Sequence, residues 1–327
     1  MRTTRLGSLL ALLLLLAPAA PARAQVHHLA RMNTEQLKAL DRTRTVIVLP
    51  GGILEQHGPY LPSFTDGYAN EAQAKALAQA IASRPGWQAV IFPTIPLGVG
   101  GANEIGRKHV FPGTYAVRTT TLRAVFMDLA AELGEQGFRW IFVIHGHGAP
   151  NHNRVLHQAG DYFRDVYGGH MVHLSDVIPE GTSMPGGLTE AEQQEDGFAV
   201  HAGLWETSSM MFLHPELVSP AVREAVPQTG QNWNDLVRLA RAPEWPGYFG
   251  SPRLATAAQG ARLWQRAGSY IELALRILDG LDERQIPRLS DVMSKSEPNL
   301  AIDRDAVERE RHVEQQQQAW LKKHVTR

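Results

Sequence analysis

Acidic and histidine side chains cluster in a loop that is rich in glycine and proline. The segment "VIVLPGGILEQHGPYLPSFTD" carries Glu55, His57 and Asp66 directly after an apolar run. Carboxylate oxygens together with an imidazole nitrogen suit a divalent ion such as zinc, manganese, iron or cobalt. The same spacing also occurs on ordinary surface loops, so this segment by itself is weak evidence for a metal site.

Histidines follow a second apolar run. The segment "IFVIHGHGAPNHN" places His145, His147 and His152 among glycines, which let the backbone approach a ligand closely. A single histidine at such a position is usually a turn residue or a satisfied hydrogen-bonding group. Two clusters of ligand-type residues, each directly after an apolar run, favour a shared metal site over that interpretation.

A third cluster lies in "HAGLWETSS", which contains His201 and Glu206. Histidine exchanges protons near neutral pH, and glutamate acts as a metal ligand or as a base. In the alternative interpretation, Glu206 is an acidic residue in the first turn of a helix, where the helix dipole favours it. His201 is then an ordinary loop residue. Taken alone, this cluster favours the alternative.

Short apolar runs predict the strands that position these clusters. The runs are Thr45–Leu49, Gln88–Pro93, Arg139–Gly146 and His170–Ser175, and segments with helical periodicity separate them. This alternation predicts an α/β fold, a three-layer α/β/α sandwich with a mainly parallel sheet. Sites in such sheets lie in loops at the carboxyl ends of the strands. We therefore expect the clusters to face one crevice.

The composition excludes several classes of function. The chain has 327 residues, of which 43% are hydrophobic, enough for the core of one large domain or two small ones. Its formal net charge is −1, which predicts no binding to nucleic acid and favours a small-molecule ligand. Cysteine is absent, which excludes disulfides, thiolate ligands and a cysteine nucleophile. Any metal must therefore be bound by histidine and carboxylate side chains.

The N-terminus is typical of a secretory signal peptide. Arg2 and Arg5 precede the apolar run Leu9–Ala17, and "ARA" before Gln25 supplies small residues at the cleavage spacing. The run is shorter than the ~20 residues of a comfortable membrane span, so we predict no stable membrane insertion. A simple N-terminal anchor is the alternative. We predict that residues 1–24 are a signal peptide, cleaved near Ala24, and that the mature protein is periplasmic or secreted.

Together, the three clusters resemble the creatininase family. Family segments read like "PxGxxEQHGPHLPxxTD", "NGHGGN" and "HAGxxETS", and this chain has "PGGILEQHGPYLPSFTD", "HGHGAPN" and "HAGLWETS" in the same order. Two further segments, "FPGTYAV" and "GYFGSPRLATAAQGARL", also resemble sequence segments of the family. The resemblance spans about residues 46–278 and implies a creatininase-like α/β/α fold. It also implies a two-metal centre that hydrolyses C–N bonds of non-peptide or small-peptide substrates.

Motif positions imply a set of metal ligands, which are Glu55, His57, Asp66 and His147. Asp66 would bridge two divalent ions, which are zinc, manganese or iron. Creatinine amidohydrolases carry a further glutamate ligand in "HYEN", but this chain has "GAP" at Gly148–Pro150. Glu206 is the replacement candidate, as a ligand with a catalytic role. The alternative is that it supports a ligand without binding metal.

The remaining matches concern proton transfer and substrate. His201 matches the histidine that the family implies as proton shuttle, and it would protonate the leaving nitrogen. Predicted substrate-binding residues are Tyr60, His109, His145, Asn151 and Trp205. Several of these positions differ from the family pattern. His145 occupies a position where the family usually has asparagine, and Tyr60 occupies a position where the family often has histidine. Creatinine itself is therefore not assured as the substrate.

We accordingly predict an exported, metal-dependent amidohydrolase that cleaves a small cyclic or linear amide with a metal-activated water. Residues 25–300 would form the creatininase-like metallohydrolase domain, and residues 301–327 a charged C-terminal tail or helix. The family implies a homo-oligomer, often a hexamer. A non-catalytic or single-metal binding protein on the same fold is the alternative. A function as a metal-dependent phosphoesterase is disfavoured, because the sequence contains no phosphate-binding Gly-Lys-Ser/Thr loop.

Overall fold

A five-stranded parallel sheet forms the centre of the protein. The computed structural model describes residues 25–176, 187–281 and 297–325. The strands are β1 (Gln25–His28), β2 (Thr45–Pro50), β3 (Gln88–Ile91), β4 (Trp140–Ile144) and β5 (His170–His173), in the order β1-β3-β2-β4-β5. The predicted signal peptide, residues 1–24, lies outside the described residues and stays a prediction.

Helices connect and cover these strands. They are α1 (Thr34–Lys38), α2 (Thr65–Ala82), α3 (Thr119–Glu135), α4 (Pro150–Tyr167), α5 (Glu190–Asp196), α6 (Leu204–Leu213), α7 (Trp233–Arg241), α8 (Ala257–Leu278) and α9 (Glu297–His324). Local signals set their ends: Asn33 and Gln36 form a capping box at the start of α1. Helix α4 begins with Pro150 and stops at Gly168, whose φ is 63°.

The sheet is covered on both faces. Alternate residues of a strand point to opposite faces, so Ile47 and Leu49 of β2 pack with α3 and α4 in one cluster. Val46 and Val48 pack with α2 and α8 in the other cluster. Burial on both faces explains why β2 is a continuous apolar run rather than an alternating one. The predicted three-layer α/β/α sandwich is confirmed, and its sheet is entirely parallel in the described chain.

Strand β1 was not predicted from the sequence. Its residues, "QVHH", show no alternation of apolar and polar side chains, and two of the four are exposed. The strand forms because its backbone pairs with β3, where Gln25 lies opposite Gln88. The four predicted strands are confirmed as β2 to β5, with ends that differ by a few residues.

The charged C-terminal segment is a helix that packs against the rest of the protein. Arg154 Nη2 of α4 lies 2.8 Å from Asp303 Oδ2 of α9. The backbone N–H and the hydroxyl of Thr119, at the start of α3, donate to Glu310 Oε1 over 2.7 and 2.6 Å. Helix α9 starts before residue 301, and the predicted division between residues 25–300 and 301–327 stays a prediction. No helix within the described ranges is both long and apolar enough to cross a membrane.

Candidate metal centre and active-site pocket

Two neighbouring strands deliver the first set of candidate ligands. Glu55 and His57 lie in the loop that follows β2, and Asp66 lies in the first turn of α2, which that loop enters. His147 lies three residues past the end of β4, the strand beside β2. Parallel strands end at the same edge of the sheet, so these side chains meet there.

Close packing at this edge requires a glycine. A Cβ atom on Gly51, just past β2, would lie 2.0 Å from His145 Cδ2 and 2.8 Å from the carbonyl oxygen of Ile95. His145 is fully buried, and its Nδ1 lies 3.0 Å from His152 Nε2. Gly51 therefore allows the two strand ends to approach, and the buried His145–His152 pair packs in that space.

Glu55, Asp66 and His147 form one group with the geometry of a metal site. Their potential ligand atoms all lie within 4.8 Å of one another. His147 Nδ1 lies 3.2 Å from Glu55 Oε2 and 3.0 Å from Asp66 Oδ2. Its Nε2–H donates to the carbonyl oxygen of Gly100 over 2.7 Å. That hydrogen bond directs Nδ1 toward the carboxylates, as a supporting acceptor does for a metal-binding histidine.

His57, Asp66 and Glu206 form a second group that shares Asp66 with the first. His57 Nε2 lies 3.4 Å from Asp66 Oδ1 and 3.9 Å from Glu206 Oε2. His57 Nδ1–H donates to the backbone carbonyl of Glu55 over 2.9 Å, so Nε2 is the nitrogen that faces the carboxylates. Asp66 thus directs one oxygen to each group.

Two buried atoms of these groups have no hydrogen-bond partner among the described residues. They are Glu55 Oε2 and His57 Nε2, and both side chains are fully buried. An unpaired buried polar atom is costly unless something else binds it. Three carboxylates and two imidazoles suit zinc, manganese or iron, so the residues present fit divalent metal ions.

The charges of the cluster are consistent with a cation site. Burial alone lowers the pKa of His57 and His147, but the contacts with Asp66 and Glu55 outweigh it and raise these pKa values to about 10 and about 9. Burial raises the pKa of Glu55 to about 7. Burial acts to raise the pKa of Asp66, but the contacts with His147 and His57 outweigh it and hold this pKa well below its usual range. Protons on the histidines thus balance the carboxylates, and a metal must displace them.

The loop before α6 brings His201 and Glu206 to the same cluster. Ala202, between them, has a φ of 51°, a conformation that residues other than glycine rarely adopt. Its backbone N–H donates to Glu206 Oε2 in the first turn of α6. Strained backbone of this kind is typical of functional sites. Here it places His201 and Glu206 beside His57, whose ring centroid lies 4.4 Å from that of His201.

His201 is held as a neutral imidazole. Its Nε2–H donates to the backbone carbonyl of Gln56 over 2.7 Å, which leaves Nδ1 unprotonated and 3.7 Å from Glu55 Oε1. Burial and the charge of nearby His57 lower the pKa of His201 well below its usual value. Glu55, His57 and His201 form a third possible ligand group, so proton transfer and metal binding are both chemically open to His201.

A pocket of about 210 Å³ opens beside the cluster. Among the residues that the structure describes, the candidate residues that line this pocket are Glu55, His147, Asn151, His201 and Glu206. Its lining also includes residues that sequence reasoning missed, namely Glu104, Val200, Trp233, Ile302, Asp303 and Ala306. The one sequence signal for Glu104 is its place after two glycines in the loop that follows β3. Nothing in the sequence of α9 indicates that it reaches this pocket.

The other predicted substrate-binding residues have different surroundings. The ring of Tyr60 packs 5.7 Å from that of Tyr248, and His109 Nε2 lies 3.3 Å from Asp305 Oδ2. Within the described chain, the lining of this pocket does not include Tyr60, His109, His145 or Trp205. Their role in substrate binding stays a prediction.

Comparison with known proteins identifies similar sequences over most of the chain. The model of the family Creatininase, described as creatinine amidohydrolase, matches residues 30–275. Creatinine amidohydrolase of Pseudomonas putida is 28% identical over 243 residues, which cover 71% of this chain and 88% of that protein. The mycofactocin precursor peptide peptidase of Mycolicibacterium smegmatis is 26% identical over 249 residues, covering 71% and 85%.

Solved structures show the same fold. A manganese creatininase superposes with a TM-score of 0.56 at 22% identity, covering 80% of this chain and 100% of that one. A putative creatinine amidohydrolase from Bacteroides fragilis superposes with a TM-score of 0.52 at 26% identity, covering 76% and 96%. The region that the family model matches, residues 30–275, contains every candidate ligand described above but not helix α9, which begins at Glu297.

Proposed function

Because this chain belongs to the creatininase family, we propose that it is a metal-dependent amidohydrolase that cleaves a C–N bond of a small cyclic or linear amide. The observation that carries the proposal is the position of Asp66 between two ligand groups, beside a pocket that Glu55, His147 and Glu206 line. Relatives named for creatinine and for a peptide precursor support amide hydrolysis and leave the substrate open.

In this proposal, Glu55, Asp66 and His147 would hold one ion, and His57, Asp66 and Glu206 would hold the other. When bound, divalent ions lower the pKa of water toward neutrality and polarise a carbonyl oxygen. Solved structures of a manganese creatininase and of a mutant with two zinc ions support manganese or zinc, and the ligand types also suit iron.

His201 moves the proton. As a neutral imidazole, its Nδ1 can accept a proton during attack on the carbonyl and return it to the leaving nitrogen. The Nε2–H bond to the Gln56 carbonyl fixes the ring so that Nδ1 faces Glu55. Glu206 is proposed as a ligand, although 38% of its side chain is exposed, because its Oε2 reaches both His57 and the backbone of Ala202.

Export and self-association are also part of the proposal. The predicted signal peptide, residues 1–24, supports a periplasmic or secreted protein. Trp320 and Leu321, near the end of α9, are 57% and 42% exposed, which is unusual for large apolar side chains. Their exposure supports a homo-oligomer in which the end of this helix contacts another copy.

A substrate screen tests the reaction class. We expect protein loaded with manganese or zinc to hydrolyse at least one member of a panel of lactams, formamides and short amides, and to leave phosphate esters intact. Ammonia or amine release, measured with and without chelator, reports the reaction. Bound metal together with no C–N cleavage across the panel would favour the non-catalytic alternative, and cleavage of phosphate esters alone would favour a phosphoesterase.

Replacing Glu206 tests whether it binds metal. We expect Glu206→Ala to bind one equivalent of metal where the parent protein binds two, because the His57 group then retains only two ligands. Elemental analysis of purified, metal-loaded protein measures the ratio. Glu190→Ala is the matched control, since Glu190 is an exposed acid in the first turn of α5. Two equivalents in Glu206→Ala would mean that Glu206 only supports a ligand.

A further inference from the structure

Segment 98–102, in the connection that follows β3, supports two of the candidate metal ligands through its backbone. The carbonyl oxygen of Gly100 accepts the Nε2–H of His147 over 2.7 Å. Two residues further on, the backbone N–H of Ala102 donates to Glu55 Oε1 over 2.5 Å. Each contact occupies one polar atom of its side chain. The other atoms, His147 Nδ1 and Glu55 Oε2, lie 3.2 Å apart and stay available to bind an ion.

Backbone contacts of this kind orient a ligand only if the segment itself is held in place. Segment 98–102 contains three glycines, Gly98, Gly100 and Gly101, and glycine loses more conformational freedom on folding than any other residue. Gly100 has a φ of 76°, and a Cβ atom there would lie 2.8 Å from Ala149 Cβ, just before α4. Glycine thus permits a close approach to α4, but contacts with neighbouring elements must supply the rigidity.

His152, in the first turn of α4, supplies such a contact. Its Nδ1 accepts the backbone N–H of Val99 over 3.2 Å, so the proton of this imidazole is on Nε2. The Nε2–H donates to the carbonyl oxygen of His145, just past β4, over 3.1 Å. His152 and His145 are both fully buried. One side chain therefore joins segment 98–102 to the end of β4.

Different backbone groups support the second ligand group. His57 Nδ1–H donates to the carbonyl oxygen of Glu55, and the N–H of Ala202 donates to the Glu206 carboxylate. Neither of these backbone groups belongs to segment 98–102. A change in the position of that segment is therefore expected to disturb the first ligand group and to leave the second one able to bind its ion.

We propose that His152 is a positioning residue for the ion site of Glu55, Asp66 and His147, which it orients by fixing segment 98–102. The inference rests on the metal centre of the proposed function, and it names the side chain that holds one of the two ion sites in shape. His152 acts through the backbone and not as a ligand. Replacing a supporting residue of this kind typically lowers metal affinity by between about 10-fold and 100-fold.

Two substitutions separate the two hydrogen bonds of His152. In His152→Gln, the longer amide reaches the carbonyl oxygen of His145 but offers no acceptor near the N–H of Val99. In His152→Asn, the shorter amide places its oxygen near the position of Nδ1, so it keeps the bond to Val99 and loses the one to His145. We expect His152→Gln to weaken one of the two metal equivalents by about 10-fold to 100-fold. His152→Asn is expected to bind both equivalents as the parent protein does.

Competition with a chromophoric chelator measures these affinities on the zinc-loaded full chain. Phe163→Leu is the packing control, because Phe163 is a fully buried residue of α4. This variant is expected to lower the melting temperature without changing metal affinity. In His147→Ala, which should keep only the ion of the second ligand group, adding His152→Gln is expected to cause no further loss. Such non-additivity indicates that two residues act on the same site.

Equal losses of affinity in His152→Gln and His152→Asn would overturn the proposal, and so would parent-like affinity in His152→Gln. The outcome is separable from that of the amide screen, because chelator competition needs no substrate. Selective loss of one equivalent in His152→Gln, in a protein that cleaves no amide, would support this inference and contradict the proposed function. Metal-dependent amide cleavage together with parent-like affinity in His152→Gln would do the reverse.

Discussion

Asp66→Asn is expected to lose both metal ions and to lower amide turnover by about 1000-fold or more, because the ions supply several kcal/mol of transition-state stabilisation. Asp66 belongs to two ligand groups, one with Glu55 and His147 and one with His57 and Glu206, and these two groups have no other residue in common. Its two oxygens lie 3.0 Å from His147 Nδ1 and 3.4 Å from His57 Nε2. Asparagine keeps the shape but offers a single neutral oxygen, which cannot bridge two cations.

Metal analysis and kinetics on the same samples test this prediction. Elemental analysis gives the metal content, and amine release from the best amide of the screen gives turnover. Asp128→Asn is the matched control, since Asp128 is an exposed aspartate of α3 and should keep both metal and activity. If Asp66→Asn retained two equivalents of metal, the assignment of Asp66 as the shared ligand would be wrong.

His201→Ala is expected to lower turnover by between about 100-fold and 10,000-fold, the usual contribution of a positioned acid or base. Metal content should not change, because His201 is not needed to complete either group that contains Asp66. The leaving nitrogen of an unactivated amide must be protonated before it departs. The neutral ring of His201, fixed through Nε2, has Nδ1 available to carry that proton.

The dependence on the leaving group identifies the role. An anilide with an electron-poor ring departs with little need for a proton, so His201→Ala should impair its cleavage much less than that of an alkyl amide. His214→Ala is a suitable control, because His214 follows the last residue of α6, at the end opposite His201. Loss of metal in His201→Ala would instead assign His201 as a ligand of the third group, with Glu55 and His57.

Local sequence was sufficient to predict much of the fold. Strands β2 to β5 were predicted because each is a short apolar run. Such signals depend on residues that are near one another in sequence. Strand β1 was missed because its side chains carry no pattern and its partner, β3, begins at Gln88, more than sixty residues away. Only backbone pairing across that distance makes it a strand.

The sequence alone also determined the candidate ligands and the family, because both depend on residue types at fixed spacing in the three motifs. Only the tertiary structure decided that Asp66 faces both histidines, that Glu206 approaches His57, and that Glu104 lines the pocket. It also decided that residues of α9 line that pocket. These contacts join segments far apart in the chain, and they depend on β2 lying beside β4 and on helices packing over the strand ends. Spacing along the chain cannot encode such distances, because they arise only when the whole sheet assembles.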